Sequence, residues 1–495
     1  MSSPRRDRAR TLAATLLIGA GGAYVLAYLF VAFSRMGYPF ELEWMEGGMV
    51  DHVRRVLSGL PVYAKPSIEF VSFLYPPLYY EAAAVFAVVL GPGFLPLRLL
   101  SFVSSIGVFV LLFQIVRREA GSVLAGAVAV GLFAATYDRV GGWFDIARLD
   151  SFYLMLLLAG VFVLRASRSA WGASAAGVLL SAAFLTKQSA LVIVAPLLLY
   201  CVLAELRRAP WFAGTLALGM GGVSFLLDRS SAGWFHYYCF TLPSRHPRIE
   251  GGPAAFFTAD LLPALPLATA LGGFYIAMRL RGPGARARLF FPLLAAGMIG
   301  SSWSVRNMVG AEVNNLLPAF AAVALLAALG LHEVRFRAQA GETVVWRRIA
   351  LAAELAILAQ LVFLAYDPRK HIPTPADRAA GEKLVARLKT IPGEIFAPHH
   401  GYLTRLAGKR GYAHTLAMDN LFLDDDGPAR RELEAEMRQA IADKTFAAVL
   451  LESDGRYGVA ILNSYDAKEA LIDDPGVFWP VTGGRLRPEV LCLPK

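Results

Sequence analysis

The chain has 495 residues, of which 56% are hydrophobic and only 17% are charged, and its mean hydropathy is +0.50. Globular proteins carry about 25% charged residues, so this much apolar surface cannot be hidden in soluble domains of ordinary size. The composition predicts a polytopic membrane protein. It excludes soluble enzymes and nucleic-acid-binding proteins, despite a pI near 9.5.

The net charge of +10 is unevenly distributed. Residues 1–367 contain 30 Lys and Arg against 20 Asp and Glu, whereas residues 368–495 contain 18 of each. The excess lies in the hydrophobic part, where basic loops set the orientation of a membrane protein. We therefore predict an all-α membrane module over 1–367 and a small soluble α/β domain over 368–495. In the latter, helices are predicted near 376–390 and 428–442, and strands at 394–397 and 446–451.

Eleven apolar runs are long enough to predict transmembrane helices. They lie at 11–33, 97–116, 121–137, 150–165, 171–186, 189–205, 211–228, 260–280, 288–304, 312–331 and 346–366. The first follows the basic stretch Pro4–Arg10 and lacks a persuasive signal-peptide cleavage site. We therefore predict a retained first span with a cytoplasmic N-terminus.

One further apolar stretch, residues 76–90, contains Glu81 and is only fifteen residues long. If it does not cross, fourteen arginines fall on the cytoplasmic side; if it crosses, all of them move outside. The positive-inside rule favours the first arrangement. Residues 76–90 are then a juxtamembrane or re-entrant helix, the outer loops are 35–96, 137–150 and 229–259, and the C-terminal domain is extracytoplasmic.

The first outer loop contains two acids, Glu43 and Glu46, spaced so that a helix would put both on one face. The stretch after them, 49–57, is amphipathic and is expected to lie on the membrane surface. Trp44 and the pair Gly47-Gly48 favour a functional position at the interface. A solvated acidic loop is the alternative interpretation.

The second outer loop supplies Asp145, Arg148 and Asp150 at the start of an apolar run. Arginine can hold a phosphate through two hydrogen bonds, and a nearby carboxylate can orient it or bind a metal. The alternative is an Arg–Asp pair that closes a helix end. Lys187 is the only lysine between Lys65 and Lys370 and faces outward in the predicted topology, which indicates a phosphate or substrate ligand or, alternatively, a snorkelling side chain.

Weaker signals come from later in the chain. Arg245 and His246 stand beside glycines in the third outer loop and would suit a substrate-binding loop, although a plain surface loop is as good an interpretation. Asn314 and Asn315 add polar groups at the outer end of another predicted span.

Acids, an arginine and a lysine at one rim of a helix bundle suit a lipid-linked phosphate substrate. The lipid tail would lie in the bilayer, the cations would bind the phosphate and ease its departure, and a carboxylate would deprotonate an acceptor hydroxyl.

The sequence resembles the GT-C glycosyltransferases that use polyprenyl-phosphate sugars, such as the protein mannosyltransferase-like and aminoarabinose-transferase-like enzymes, and above all the branch that adds galacturonic acid to lipopolysaccharide. The strings that carry the resemblance are Glu46-Gly47-Gly48 followed by HVRRVLSGLPVY, then YPPLYY, WFDIARLD and LTKQSAL. The resemblance implies a catalytic carboxylate at Glu46 with Glu43 second. Many relatives carry an Asp-Glu pair where this chain has Glu43-Trp44-Met45-Glu46, and this departure leaves the choice between the two acids open. The resemblance also implies that Arg148 and Lys187 bind the donor phosphate and that Asp150 stands at the second-loop acid position.

These observations predict an inverting glycosyltransferase at the outer face of the cytoplasmic (inner) membrane. Its donor would be a polyprenyl-phosphate sugar and its acceptor a cell-envelope glycolipid, glycan or protein. No cofactor is required by the sequence, and a divalent metal, Mg²⁺ or Mn²⁺, is left open. The alternatives are a lipid or glycan transporter or flippase, and an O-antigen-ligase-like transferase.

Overall fold

The computed structural model describes residues 4–340, 343–452 and 461–495. Its apolar part is almost entirely helical. The helices are α1 (Pro4–Arg35), α2 (Glu46–Leu57), α3 (Leu78–Leu90), α4 (Phe94–Ala120), α5 (Val123–Ala135), α6 (Asp150–Ala166), α7 (Ala170–Phe184), α8 (Ala190–Ala204), α9 (Ala209–Leu216), α10 (Val223–Ser230), α11 (Trp234–His236), α12 (Leu242–Ser244), α13 (Gly252–Ala255), α14 (Leu262–Ala264), α15 (Pro266–Leu280), α16 (Ala285–Arg306), α17 (Leu317–Gln339) and α18 (Val344–Phe363). Short π-helical segments at Ala217–Gly222, Tyr237–Thr241 and Phe256–Leu261 join neighbouring helices, and 3₁₀ turns lie at Val313–Leu316 and Pro368–His371.

Each of the eleven predicted spans falls on a helix or on helices joined end to end. In the described part of the chain, four helical stretches are long and apolar enough to cross a membrane, at Thr11–Arg35, Phe94–Ala120, Ala209–Ser230 and Val313–Gln339. Two bent pairs raise the number to six, and four shorter helices of 13 to 15 residues are also apolar. The mostly helical membrane architecture is confirmed, while the count of eleven crossings stays a prediction.

Helix α17 forms the centre of the bundle, since 89% of the residues in its most apolar stretch are buried. Its alanine-rich sequence explains this position, because small side chains let neighbouring helices approach closely. At Gly330 the approach is tightest: a Cβ there would come within 2.5 Å of the Leu271 carbonyl oxygen on α15. Helices α5, α15, α16 and α18 all pack around α17.

Helices α2 and α3 pack against each other and against α4 at one end of the bundle. The expectation that residues 49–57 lie on a membrane surface is only partly met. Residues 46–53 of α2 are buried, because the C-terminal domain covers them, and only the last turn is open. Helix α3 coincides with the ambiguous stretch 76–90 and ends at Gly91, whose φ of +79° suits glycine.

The described part of the C-terminal domain contains a four-stranded sheet and four α-helices. The strands are β1 (Ile395–Phe396), β2 (Ala448–Glu452), β3 (Tyr465–Ala470) and β4 (Pro488–Pro494), in the order β1-β2-β4-β3. Strands β1 and β2 are parallel and the other two pairs are antiparallel. The helices are α19 (Pro375–Thr390), α20 (Gly401–Leu406), α21 (Thr415–Phe422) and α22 (Pro428–Ala442). The predicted helices and strands lie within two residues of α19, β1, α22 and β2, whereas β3 and β4 were not predicted.

Candidate functional site

The loop between α1 and α2 places Glu46 in a closed ion pair. Helix α2 begins at Glu46, so Glu43 lies in the preceding turn and the two acids do not share a helix face. Both Glu46 oxygens accept a hydrogen bond from the Arg98 guanidinium, at 3.0 and 2.5 Å, and each accepts a second one from a backbone amide, of Ala147 (2.6 Å) and of Leu42 (2.7 Å). Glu46 and Arg98 are both fully buried. This geometry gives Glu46 the contacts of a structural anchor.

Glu43 has a different environment. One of its oxygens, Oε2, accepts hydrogen bonds from Arg148 (2.9 Å) and from the Met45 amide (3.2 Å), whereas Oε1 is buried and has no hydrogen-bond partner. Burial raises the pKa of Glu43 to about 7, against the lowering effect of the Arg148 charge. A buried carboxylate with an unused oxygen and a pKa near neutrality can accept a proton at physiological pH.

Arg148 connects this carboxylate to a wider polar network. Its Nη2 donates to the Tyr75 hydroxyl at 3.1 Å, and its Nε is buried without a partner. Two residues on, Asp150 starts α6 and accepts hydrogen bonds at Oδ1 from Lys187 (2.8 Å) and Asn314 (3.0 Å), while its Oδ2 has none. Arg148 and Asp150 of the second loop are therefore brought together with Lys187, and each of the two cations is already balanced by one acid.

Arg148 and Lys187 line the same cavity, which has a volume of about 360 Å³. Most of its wall is apolar or aromatic. The lining comprises Trp44, Met45, Phe73, Leu74, Tyr75, Trp143, Arg148, Lys187, Gln188, Ser189, Val192, Pro243, His246, Ser304, Val305, Met308, Val309, Gly310, Ala311, Glu312, Asn314, Asn315, Leu416 and Asn420. Val192 and Val309 of this wall are 39% and 50% exposed, so the cavity is open to the exterior at apolar side chains.

Asp145, predicted as a substrate-binding acid, lies elsewhere. It accepts two hydrogen bonds from the fully buried Arg35 of α1, at 2.9 and 2.8 Å, and a third from the Tyr137 hydroxyl at 3.1 Å. It is not among the residues that line the cavity. The pair ties α1 to the second loop, and we assign Asp145 no substrate contact.

The two residues predicted from the third loop are separated by the structure. His246 lines the cavity, and its Nε2 is buried without a hydrogen-bond partner. The Arg245 side chain is 57% exposed and lies 3.7 Å from Asp424 of the C-terminal domain. Of this pair, His246 alone is placed to contact a substrate in the cavity.

For several residues that line the cavity, no role is predicted from the sequence. Tyr75 and Gln188 lie within the strings that carry the resemblance, and Gln188 donates to the backbone carbonyls of Leu74 and Cys239, at 2.8 and 3.1 Å. The C-terminal domain also reaches the site: a Cβ on Gly483 would lie 3.0 Å from Glu43 Cγ. The pair Gly483-Gly484 is the sequence signal that could have marked this contact, because glycine allows a close approach of the backbone.

The described residues include no group of three or more His, Cys, Asp or Glu side chains that could hold a metal ion. In the site itself, Glu43 and Asp150 each face a cationic side chain. This donor set does not fit a resident Mg²⁺ or Mn²⁺, and the positive charge available to a phosphate here comes from Arg148 and Lys187.

Residues 75–231 match the family described as dolichyl-phosphate-mannose-protein mannosyltransferase. This segment contains Tyr75, Arg148, Asp150 and Lys187. No curated protein sequence matches the chain.

Solved structures resemble the whole chain. ArnT from Cupriavidus metallidurans in the apo state superposes with a TM-score of 0.61, at 13% identity over 95% of this chain and 97% of ArnT. ArnT bound to undecaprenyl phosphate gives 0.58, with the same identity and coverage. The oligosaccharyltransferase AglB from Archaeoglobus fulgidus, in complex with an inhibitory peptide and a dolichol-phosphate, gives 0.53 at 12% identity, over 88% of this chain and 70% of AglB. The chain therefore shares the fold of ArnT and AglB, and its residues 75–231 match a mannosyltransferase family.

Proposed function

We propose that the protein transfers a sugar from a polyprenyl-phosphate carrier to a hydroxyl group of a cell-envelope acceptor, with inversion at the anomeric carbon. The observation that carries the proposal is the cavity that combines Arg148 and Lys187 with an apolar wall; Glu43, whose Oε1 is unused, lies behind this wall and accepts a hydrogen bond from Arg148. The similarity to structures that contain undecaprenyl phosphate and dolichol-phosphate supports it.

The cavity suits the donor in both of its parts. The apolar wall reaches the outer surface at Val192 and Val309, where a prenyl chain can enter from the bilayer. The phosphate then meets Arg148, whose Nε is an unused donor, and Lys187, whose ammonium has donated to Asp150 and Asn315. Charge-assisted hydrogen bonds of this kind are stronger than neutral ones.

The chemical step balances without a cofactor. The oxygen of the acceptor hydroxyl attacks the anomeric carbon, and the bond between that carbon and the phosphate oxygen breaks. The electron pair stays on the phosphate, which leaves as polyprenyl phosphate with one additional negative charge. Arg148 and Lys187 stabilise this charge as it develops, which is where fixed cations accelerate a reaction most.

Glu43 takes the proton of the acceptor hydroxyl in this proposal. Its unused Oε1 is buried, and burial holds its pKa near 7, so that a substantial fraction is deprotonated at neutral pH. Glu46, which the resemblance favours, has all its hydrogen-bonding capacity engaged by Arg98 and two backbone amides. We therefore assign the base to Glu43 and an anchoring role to Glu46.

The remaining assignments follow from the resemblance. We propose that the protein lies in the inner membrane, that the C-terminal domain is extracytoplasmic, and that the acceptor belongs to lipopolysaccharide, with galacturonic acid as the first sugar to test. His246 and Asn420 also line the cavity and are candidates for sugar contacts.

The test is a transfer assay with purified protein. Undecaprenyl-phosphate donors carrying radiolabelled galacturonic acid, aminoarabinose, mannose or galactose are incubated with membrane glycolipid, glycan and protein acceptors. The proposal expects labelled acceptor and free undecaprenyl phosphate in equal amounts, with inverted anomeric configuration. Movement of intact donor across a vesicle membrane without release of undecaprenyl phosphate would instead establish a flippase.

A further inference from the structure

A second polar concavity, separate from the cavity lined by Arg148 and Lys187, lies between α2 and the C-terminal domain. We call it the arginine basin; its volume is about 300 Å³. Four arginines and two acids are the charged side chains among the described residues that line it, so it has an excess of two positive charges: Arg54, Arg55, Arg405 and Arg410 against Asp51 and Glu69.

The two arginines from the last turn of α2 form no ion pair among the described residues. Arg54 donates to the Pro92 carbonyl at 3.0 Å, and Arg55 donates to the Pro61 carbonyl at 2.9 Å. The Arg55 guanidinium also lies 4.0 Å from the centre of the Phe70 ring. Burial and the nearby charge of Arg405 lower the pKa of Arg54. Like charges are thus held together with donors to spare, an arrangement that an anion would stabilise.

An apolar groove of about 450 Å³ adjoins the basin and shares Asp51, Arg54 and Arg405 with it. Apolar side chains and the Gly91–Gly93 turn supply most of the remaining wall, including Val50, Leu90, Phe94, Leu95 and Leu406. The adjacent face of α3 exposes Val85, Val88 and Val89 by 69, 74 and 83%. A continuous exposed apolar face of this kind in a membrane protein faces lipid chains.

We propose that the arginine basin binds the phosphate of a phosphorylated lipid whose acyl chains lie in the groove, and that this lipid is the acceptor. The basin bears the charge that a phosphate needs, and the groove offers the apolar wall that acyl chains need. Along α2, Arg54 lies eight residues from Glu46, or about 12 Å at 1.5 Å per residue. A lipid held at the basin by its phosphate is therefore anchored about 12 Å along α2 from Glu46, beside the C-terminal domain that covers the intervening turns. The acceptor assignment rests on the proposed function, whereas lipid binding does not.

Binding is measured first, with the full chain purified in a neutral detergent and without donor. Phosphatidic acid is the probe, and phosphatidylcholine, inorganic phosphate and oligoglutamate are the comparison ligands. The test variant is Arg54→Gln/Arg55→Gln. The matched control is Arg117→Gln/Arg118→Gln, an arginine pair in the last turn of α4.

The inference expects tighter binding of phosphatidic acid than of phosphatidylcholine, and a loss of about tenfold or more in the test variant, since a hydrogen bond to a charged group contributes about 1.5–3 kcal/mol. The control variant should bind as the wild type does. Equal affinity in the test variant, or an equal loss in both variants, would overturn it. If inorganic phosphate binds as tightly as phosphatidic acid, the ligand is a free anion. If oligoglutamate binds as tightly, the ligand is an acidic polypeptide. Either result overturns the lipid assignment.

The transfer assay then tests the acceptor role. The test variant should raise KM for a phosphorylated glycolipid acceptor about tenfold or more and leave donor affinity unchanged. An unchanged acceptor KM overturns the acceptor role even where Glu43 is confirmed as the base. Failure of the wild type to transfer any sugar refutes the proposed function instead, and the binding result without donor still decides whether the basin holds a lipid.

Discussion

Replacing Glu46 by glutamine separates an anchoring role from a catalytic one. The carboxylate of Glu46 accepts four hydrogen bonds, two from Arg98 and one each from the Leu42 and Ala147 amides. The substitution turns one of its oxygens into an NH₂ group, which cannot accept these bonds. It also leaves the Arg98 guanidinium buried without a carboxylate. Removing one partner of a buried ion pair costs about 3–5 kcal/mol of folding free energy.

The consequence reaches the first outer loop, because Arg98 also donates to the Tyr38 and Phe40 carbonyls, both at 2.6 Å. We expect Glu46→Gln to lower the free energy of unfolding by about 3–5 kcal/mol, measured by chemical denaturation of the purified protein in mild detergent. Glu382→Gln is the matched control, since its pair with Arg378 is about 60% exposed and should contribute less than about 1 kcal/mol.

Two results would contradict the anchoring role of Glu46. One is a stability loss in Glu46→Gln no larger than in Glu382→Gln. The other is a stable Glu46→Gln protein whose turnover has fallen by orders of magnitude, which would make Glu46 the base and Glu43 its support.

Four further outcomes are expected. Transfer efficiency should rise with pH through about 7, because only deprotonated Glu43 accepts a proton; a profile flat from pH 5 to 9 contradicts this. Lys187→Met should weaken donor affinity about tenfold to 150-fold, whereas Lys65→Met, at an exposed pair, should not; equal effects would remove Lys187 from the donor site. A chelator should leave transfer unchanged, since the charge on the phosphate is met by side chains; loss restored by Mg²⁺ or Mn²⁺ would show a metal requirement. Cysteines at Leu60 and Leu95, which are 51% and 41% exposed, should both react with an impermeant reagent from the side of the C-terminal domain; labelling from opposite sides would mean that residues 76–90 cross.

The features that sequence predicted well are those set by local composition. Long apolar runs define the helices of the bundle, and a run of ordinary composition defines the C-terminal domain. Within that domain, Thr374 forms a capping box with Asp377 at the start of α19, a short-range signal that sequence carries directly. Strands β3 and β4 escaped prediction because both pair with distant segments, and neither shows a strong alternation of apolar residues.

The choice between Glu43 and Glu46 could not be made from sequence because it depends on distant partners. Glu46 is neutralised by Arg98, which is 52 residues away, and Asp145 by Arg35, 110 residues away. No spacing rule reports contacts of that range. The prediction that Arg148, Asp150 and Lys187 meet succeeded because each stands where a helix begins or ends, and helix ends at one side of a bundle converge.

The most direct test of Glu43 as the catalytic base is sugar transfer by Glu43→Gln at saturating donor, with donor affinity and folding stability measured on the same preparation. The substitution keeps the size of the side chain and an oxygen for Arg148, and removes the base. We expect a turnover about 10²- to 10⁴-fold below the wild type in a protein that still folds, with donor affinity no weaker than in the wild type. A stability loss like that of Glu46→Gln is expected beside it, because Arg148 also loses a buried carboxylate. Near-normal turnover in Glu43→Gln would contradict the assignment of Glu43 as the base.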